Sequence, residues 1–362
     1  MPAIDICNQR LANQHLIEQS LGQASKVVEL LAAVQAQDYQ GAKWALAQRL
    51  SGGASDSEIE KEIAGGAILR THILRPTWHF VAAADIRWML DLTGPRVKAQ
   101  LGYYDRELGL DTVVLKRSRD VFTKALKGGK QLTRAELAQA LTKGGVRSDG
   151  TQRLAHLVMH AELDGLICSG ARRGKQFTYA LLDERVPAAT KKLARDESLY
   201  ALGMRYFATR GPATEDDFVW WSGLTKADTR AFIHSAGNAL QSETIGGRMY
   251  WFRPSGMSTK YKRPLVHLLP NYDEYFIGLK DRSAIHGTIK KQGVVANLTA
   301  LAGNVVTING QIAGGWTRTF RGKAVSVATR PLFDLSSVEA RAVKREVERF
   351  ANFLEMPLQA SL

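Results

Sequence analysis

The sequence predicts an α+β protein in which three tandem winged helix-turn-helix units are followed by a small β-barrel or sheet unit and a C-terminal helix. Three observations lead to this fold class. A pattern of helix, helix and basic hairpin recurs three times in order along the chain. Asn309 and Gly310, between alternating apolar residues, then predict a further hairpin. Last, four apolar residues at helical spacing predict a docking helix: Val343, Val347, Phe350 and Leu354.

The repeated pattern divides the chain into five predicted units. Residues 1–118 form the first winged-helix unit, 119–188 the second and 189–262 the third; residues 263–335 form the β unit and 336–362 the docking helix. Five helix starts carry a Ser or Thr followed three residues later by an acid, which is the pattern of a capping box. They are Ser55 with Glu58, Thr133 with Glu136, Thr214 with Asp217, Thr225 with Asp228, and Ser336 with Glu339.

The predicted elements follow a similar order in each winged-helix unit. The first unit has helices over 25–35, 40–50 and 56–64, the first capped by Ser25, and a hairpin over 68–81. The second has helices over 133–142 and 149–163, the latter capped by Asp149 and Gln152, and a hairpin that turns at 170–174. The third has helices over 193–209, 214–223 and 225–237 and a hairpin that turns at Gly246 and Gly247.

Length and composition indicate a soluble globular protein. The chain has 362 residues, 45% of them hydrophobic and 23% charged, which suits about two to four compact units. No apolar run approaches the roughly 18 residues that span a bilayer. The start shows no secretory pattern, and Cys7 and Cys168 lack metal-binding spacing. We therefore expect a cytoplasmic protein with no membrane contact, no metal and no cofactor.

The charge balance predicts a polyanionic partner. Lys and Arg number 49 against 35 Asp and Glu, which gives a formal net charge of +14. The basic residues fall in turns and on helix faces, and this distribution favours a folded surface for nucleic acid. The alternative is a basic surface without a phosphate partner.

The candidate DNA contacts lie in the second unit and after the third. On the predicted recognition helix, Arg153, His156 and His160 share one polar face, which would enter a groove; a solvated helix face is the alternative. Six further basic residues are predicted to contact phosphates without reading sequence. They are Arg172, Arg173, Lys175, Lys260, Lys262 and Arg263.

The catalytic candidates follow the first helix of the first unit, where the chain reads Gln35, Ala36, Gln37. In a continuous helix, residues i and i+2 point to nearly opposite sides, so the two glutamines can converge only where the helix ends. Asp38 and Gly41 form a signal for a new helix start. We therefore predict that the tripeptide lies at a helix-to-helix turn.

Four stretches carry a family resemblance: VQAQDYQGAKWALAQR, RPTWHFVAAADIRW, GPATEDDFVWWSGL and LLPNYDEYFIGLKDR. The chain resembles the AlkZ and YcaQ family of bacterial winged-helix DNA glycosylases over essentially its whole length. Gln35, Ala36 and Gln37 match the family's catalytic motif in its glutamine branch, whereas the other branch has aspartate at the third position. The resemblance implies a monofunctional glycosylase that excises alkylated purines, including nitrogen-mustard-type lesions, and in some members unhooks interstrand crosslinks. The implied partner is double-stranded DNA with alkylated bases, and we expect a monomer to bind it.

The substrate class explains why two glutamines could serve a hydrolase. A glutamine amide cannot act as a general base. An N3- or N7-alkylated purine, however, is already cationic and departs without being protonated, so the protein needs only to orient water and stabilise a cationic sugar. We predict that Gln35 and Gln37 jointly hold the attacking water. No lysine is conspicuously placed as a Schiff-base nucleophile, so no lyase activity is predicted.

Several nearby residues have two possible roles. Asp38 either tunes the water or caps the next helix. Thr77 and His79 alternate on one strand and therefore face one side, toward the motif, and His79 is either a participant or a structural residue. Glu274, with Asp273 and Arg282, is predicted to brace the β unit through an ion pair.

Two other classes of protein would also explain the charge and the repeats. A winged-helix transcription regulator would prefer one operator sequence and release no base. A DNA-binding scaffold without catalysis would bind duplex DNA and ignore damage. Three winged helices in one chain favour a protein that surrounds damaged DNA over a dimeric repressor.

Overall fold

The computed structural model describes residues 5–187, 192–254, 256–288 and 303–359. Its α-helices are α1 Ile6–Asn13, α2 Ala24–Leu31, α3 Tyr39–Ala47, α4 Asp56–Gly65, α5 Ile86–Glu107, α6 Thr112–Leu126, α7 Arg134–Lys143, α8 Thr151–Leu163, α9 Leu182–Arg185, α10 Arg195–Arg210, α11 Glu215–Ser222, α12 Lys226–Ala236, α13 Glu274–Ile277 and α14 Ser337–Phe353. Its strands are β1 Ala33–Gln35, β2 Ile68–Ile73, β3 Arg75–Ala82, β4 Leu132–Thr133, β5 Ile167–Ser169, β6 Thr178–Leu181, β7 Gln241–Ile245, β8 Arg248–Phe252, β9 Val266–Leu269, β10 Asn304–Ile308, β11 Gln311–Arg321, β12 Ala324–Pro331 and β13 Leu358–Gln359.

The described strands form four sheets, which alternate with the helices along the chain. Their strand orders are β1-β3-β2, β4-β6-β5, β7-β8 and β13-β12-β11-β10-β9. The predicted hairpin at Asn309 and Gly310 joins β10 to β11, and both residues have the positive φ that such a tight turn requires. The α+β class is thus confirmed. The assignment of the helix and hairpin groups to three winged-helix units, and the closure of the β unit into a barrel, stay predictions.

All five predicted capping boxes are present. Two further cap predictions, Ser25 and the pair Asp149 and Gln152, are wrong. Helix α2 begins at Ala24, and the Glu62 carboxylate accepts hydrogen bonds from the backbone N–H groups of Ala24 and Ser25 at 2.8 Å each. Helix α8 follows Gly150, which provides no side-chain cap, and Asp149 instead pairs with Arg147 at 2.9 Å.

Two hydrophobic cores meet at β1. Val34 belongs to a core that joins α2, α3 and α4 to the five-stranded sheet and α14. Its neighbour Ala33 belongs to a core that joins β2, β3 and α5 to α10, α11 and α12. Burying one Val or Leu side chain contributes roughly 1.5–3 kcal/mol, so this short strand is fixed from both faces by residues distant in sequence.

The last helix docks as its apolar stripe predicts. Phe350 is fully buried and lies 5.2 Å from Trp44 and 5.0 Å from Trp316, ring centroid to ring centroid. The indole N–H groups of these tryptophans donate to the carbonyls of Leu268 and Leu269 at 2.7 and 2.8 Å. Helix α14 therefore holds α3 against the β unit.

The predicted boundary between the second and third units, between residues 188 and 189, lies outside the described residues. Within the described ranges, no helix combines the length and the apolar character needed to cross a membrane.

Candidate active site

The motif Gln35, Ala36, Gln37 lies on an extended segment. Helix α2 ends at Leu31, and Ala32 then has a φ of 63°. Gln35 pairs with His79 in the antiparallel ladder of β1 and β3, and the Ala36 N–H donates to the Trp78 carbonyl at 2.7 Å. The predicted helix over 25–35 is therefore too long, and the motif lies between α2 and α3 as predicted, but in an extended segment and not in a turn. Val34 continues the apolar spacing of α2 but is buried in a strand. Apolar spacing alone does not distinguish a last turn of helix from a short buried strand.

Strand β1 ends at Gln35, and Gln37 follows in the bend that leads into α3, where its Oε1 accepts from the Trp78 backbone N–H at 3.4 Å. Gln35 is only 5% exposed, whereas Gln37 is an exposed side chain. Thr77 and His79 lie on the facing strand, with His79 directly opposite Gln35, so the predicted proximity of this strand to the motif is observed. The catalytic roles of these residues stay predictions.

Buried charges hold the backbone of residues 33–37, which we call the motif segment. The Glu274 carboxylate accepts from the Gln35 N–H at 2.9 Å and from Arg210 Nη2 at 2.7 Å. Arg210 Nη2 also donates to the Ala33 carbonyl at 3.1 Å, and Arg70 Nε donates to the Ala36 carbonyl at 3.1 Å. Glu274 therefore braces the motif segment, and not the β unit as predicted.

An open cleft of about 450 Å³ lies beside Gln35, and we call it the motif cleft. The Arg75 side chain lines the motif cleft and donates from Nη2 to Gln35 Oε1 at 2.8 Å. The Arg75 guanidinium lies 5.6 Å from the ring centroid of Trp220, which is 42% exposed. The remaining lining comes from Pro76, Thr77, Arg96, Gln100, Val219, Gly223, Leu224 and Ile277.

His79 is fully buried, and its Nδ1 donates to the Thr77 carbonyl 3.0 Å away, so the proton lies on Nδ1. Burial and then the charge of Arg75 hold the pKa of His79 well below its ordinary value of 6.5. Its Nε2 is buried with no hydrogen-bond partner among the described residues. A neutral, enclosed imidazole favours the structural alternative.

The lowered pKa of His79 makes stability depend on pH. Below about pH 6.5, His79 binds a proton in the unfolded state but stays neutral in the folded state. The free energy of unfolding should therefore fall by about 1–2 kcal/mol between pH 7 and pH 5. A His79→Gln variant should lose less over the same range. Urea unfolding of both proteins at the two pH values measures the difference, and identical slopes would contradict a neutral folded-state His79.

Both oxygens of the Asp38 carboxylate make structural contacts. Its Oδ1 accepts from the Gly41 N–H at 3.0 Å and caps α3, which confirms the predicted helix start. Both carboxylate oxygens also accept from Arg318 Nη2 at 2.7 Å. This arrangement favours the capping alternative over a role in tuning the water.

The polar face of α8 packs inward, so its predicted orientation toward a groove is wrong. Arg153 Nε donates to the Arg147 carbonyl at 2.8 Å, and its Nη1 also contacts the Leu108 carbonyl. His160 Nε2 lies 3.0 Å from the Asp105 carboxylate, and His156 Nδ1 lies 3.4 Å from it. The contacts with Leu108 and Asp105 join α8 to the end of α5, a partner that the periodicity of α8 alone does not reveal.

The six other basic candidates differ in their surroundings. Arg172 is half-buried, 5.0 Å from the Tyr39 ring centroid and 3.6 Å from Glu60. Arg173 is exposed and pairs with Glu136 at 2.8 Å. The remaining four are exposed: Lys175, Lys260, Lys262 and Arg263. Their contacts with DNA stay predictions.

Sequence reasoning missed Arg75, Arg70, Arg210 and Trp220. Arg75 could have been found, because it alternates with Thr77 and His79 along one strand and so shares their face. The others contact the site through pairings that no local pattern shows. Among the residues that the structure describes, no three His, Cys, Asp or Glu side chains lie close enough to share a metal ion.

The family model described as DNA glycosylase AlkZ-like matches residues 28–353. The chain belongs to this family and is therefore a DNA glycosylase, an enzyme of DNA repair. Its structure is similar to that of the Streptomyces sahachiroi DNA glycosylase AlkZ, with a TM-score of 0.78 and 21% identity over 100% of both chains. Comparison with curated protein sequences gives no match. The family resemblance of the four sequence stretches is thereby confirmed.

Proposed function

We propose that this glycosylase hydrolyses the N-glycosidic bond of cationic alkylated purines in duplex DNA. The substrates are N7- or N3-alkylated purines, including nitrogen-mustard-type adducts and interstrand crosslinks, and the enzyme acts as a monomer. The observation that carries the proposal is the placement of Gln35 at the end of β1, beside an open cleft, with Gln37 two residues further along the chain. The openness of the cleft suits a bulky adduct.

The chemistry of the cleft suits a leaving group that is already charged. None of the described residues that line it is an Asp, Glu or His. Without a general acid at the base, excision is efficient only for a purine that departs unprotonated. Neutral purines should therefore be poor substrates, as the motif alone predicts.

The reaction needs no proton transfer to the base. The bond from C1′ to N9 breaks, and its electron pair moves to N9 and neutralises the cationic purine. A water oxygen forms the new bond to the oxocarbenium carbon C1′, and the displaced proton passes to solvent. Gln35 and Gln37 hold that water, and an amide oxygen stabilises the cationic sugar in the transition state.

Charge supports the binding of duplex DNA. The net charge of +14 attracts the phosphate backbone, and binding should weaken steeply with added salt. The exposed Lys260, Lys262 and Arg263 offer phosphate contacts on the segment that leads into the β unit. Such contacts bind without reading sequence, as repair of scattered lesions requires.

Alanine substitution of each glutamine tests the proposal. Gln35→Ala and Gln37→Ala should each lower the rate of N7-methylguanine release from duplex DNA by about 100-fold or more, because each removes one preorganised group that holds the water. The affinity for undamaged duplex should stay near that of the wild type. Base release under single-turnover conditions and a DNA-binding isotherm measure the two quantities.

The matched control is Gln241→Ala, which removes an exposed glutamine of β7. It should release base at the wild-type rate. Wild-type rates in both motif variants would refute the role of the glutamines. No release by the wild type from N7-methylguanine, a mustard adduct or a crosslink would refute the substrate class.

A further inference from the structure

The motif cleft carries positive charge without a matching carboxylate. Its lining includes the side chains of Arg75 and Arg96, and none of the described lining residues is an Asp or a Glu. Arg96 is an exposed residue of α5, and no described residue forms an ion pair or a hydrogen bond with its side chain. Two positive charges that line one cleft attract an anion. The charge of the motif cleft therefore suits a negatively charged group.

The Arg75 guanidinium is held in place and keeps one donor open. Its Nη2 donates to Gln35 Oε1 at 2.8 Å, and this contact also fixes the orientation of the Gln35 amide, because a guanidinium has only N–H donors. The guanidinium also lies 5.6 Å from the ring centroid of Trp220. No described residue accepts a hydrogen bond from Arg75 Nη1, and Nη1 is not among the enclosed atoms that lack a partner. It is therefore a positioned donor that faces the motif cleft.

Arg75 lacks a carboxylate of its own. Burial lowers its pKa, and this effect exceeds the opposite effect of the Glu274 charge. The Glu274 carboxylate already accepts from the Gln35 N–H and from Arg210. A cation that has lost water and lacks a direct partner gains more from an anion than a fully hydrated cation does.

Duplex DNA supplies such an anion close to the reacting sugar. In the proposed reaction, C1′ of the damaged nucleotide lies beside Gln35, and the phosphates on either side of this nucleotide are the nearest anions of the substrate. Without an anion, the guanidinium groups of the cleft would oppose the cationic sugar that forms there. A phosphate bound between them cancels this repulsion. A cationic purine in the same place would add to it.

We propose that the motif cleft binds a phosphodiester that flanks the damaged nucleotide, through Arg75 Nη1, Arg96 and Gln100. Gln100 lies one helical turn after Arg96 on α5 and lines the same cleft, so its amide N–H groups can donate to the same anion. Arg75 then connects this phosphate to Gln35 and is a positioning residue for the sugar. The inference rests on the proposed function and adds a contact with one defined phosphate.

Methylphosphonate DNA tests this contact, because it replaces a charged phosphate oxygen with a methyl group and keeps the base pairs. The neutral linkage is placed in turn on each side of a 2′-fluoro N7-methylguanine nucleotide, which resists hydrolysis because fluorine destabilises the cationic sugar. At one of these two positions, the wild type should bind the duplex about 10-fold more weakly. The Arg75→Met and Arg96→Met variants should bind the charged duplex more weakly and should lose less than about 3-fold on the same replacement. Equilibrium binding isotherms measure all of these affinities.

Arg106→Met is the matched control, since Arg106 is exposed on the same helix but does not line the motif cleft. It should keep the full response of about 10-fold to the methylphosphonate. Arg75→Met also frees the Gln35 amide, whereas Arg96→Met leaves the contact between Arg75 and Gln35 in place. Agreement between these two variants therefore excludes an indirect effect through Gln35. Urea unfolding checks that each variant folds.

The possible outcomes are distinct. If the wild type tolerated a methylphosphonate on both sides of the lesion, or if Arg75→Met and Arg96→Met responded as strongly as the wild type, the phosphate site would be refuted and the proposed function would stand. If Trp220→Leu weakened binding only to damaged duplex and no phosphate replacement had an effect, the cleft would hold the base instead. A wild type that releases no alkylated base would remove the proposed function, whereas the binding response would still decide whether the cleft holds a phosphate.

Discussion

Glu274→Gln should slow base release far more than Asp273→Asn, although the two carboxylates are adjacent, buried and paired with arginine. Glutamine at position 274 can no longer accept from the Gln35 N–H and satisfy the Arg210 guanidinium at once. A shift of the motif segment by about 1 Å can cost on the order of 100-fold in rate. Single-turnover rates at saturating enzyme, measured beside urea unfolding, report the effect.

Asp273 supplies the matched control. It pairs with Arg49 at 2.9 Å with equal burial, but none of its described contacts involves the motif segment. Breaking either buried pair should cost about 3–5 kcal/mol of stability. We therefore expect similar losses of stability but a large loss of rate only for Glu274→Gln. Equal rates in the two variants would show that Glu274 has no special connection to catalysis.

The fold could be predicted where its determinants are local. Each capping box depends on residues three apart, and all five were correct. The turn at Asn309 and Gly310 is equally local. The strand β1 could not be predicted, because it is extended only through pairing with β3, whose paired residues lie 44 to 48 positions later in the sequence. The same reason explains α8, whose polar face packs on α5.

The residues of the candidate site also fall into those that a local pattern predicts and those that depend on long-range contacts. The motif in the sequence identified Gln35 and Gln37 as candidates. Alternation along one strand predicted that Thr77 and His79 face the motif. Glu274 is 239 residues from Gln35, and its contact with the Gln35 N–H depends on how the third helical group and the β unit pack on the first unit. Long-range contacts of this kind follow from the assembled cores and not from any spacing in the sequence.

The position of Arg75 itself depends on close packing at Gly223. This glycine ends α11 with a φ of 70°, and a Cβ there would lie 2.3 Å from the carbonyl oxygen of Leu74, the residue before Arg75. Gly223→Ala should therefore destabilise the protein by about 2–4 kcal/mol, because the strained backbone and the clash add together. It should also slow base release, since relief of the clash moves Arg75 away from Gln35.

The backbone strain and the clash can be measured separately. Gly52 has a similar φ of 74°, but no atom lies within 4 Å of its Cβ position. Gly52→Ala should therefore cost only the strain, about 1–2 kcal/mol, and leave the rate of base release unchanged. Urea unfolding and single-turnover kinetics of both variants give the comparison. If Gly223→Ala cost no more stability than Gly52→Ala, the contact with Leu74 would not constrain the chain. If the Gly223→Ala variant also released base at the wild-type rate, the packing at Gly223 would not determine the orientation of the Gln35 amide. The test is direct, because the substitution displaces the strand that carries Arg75.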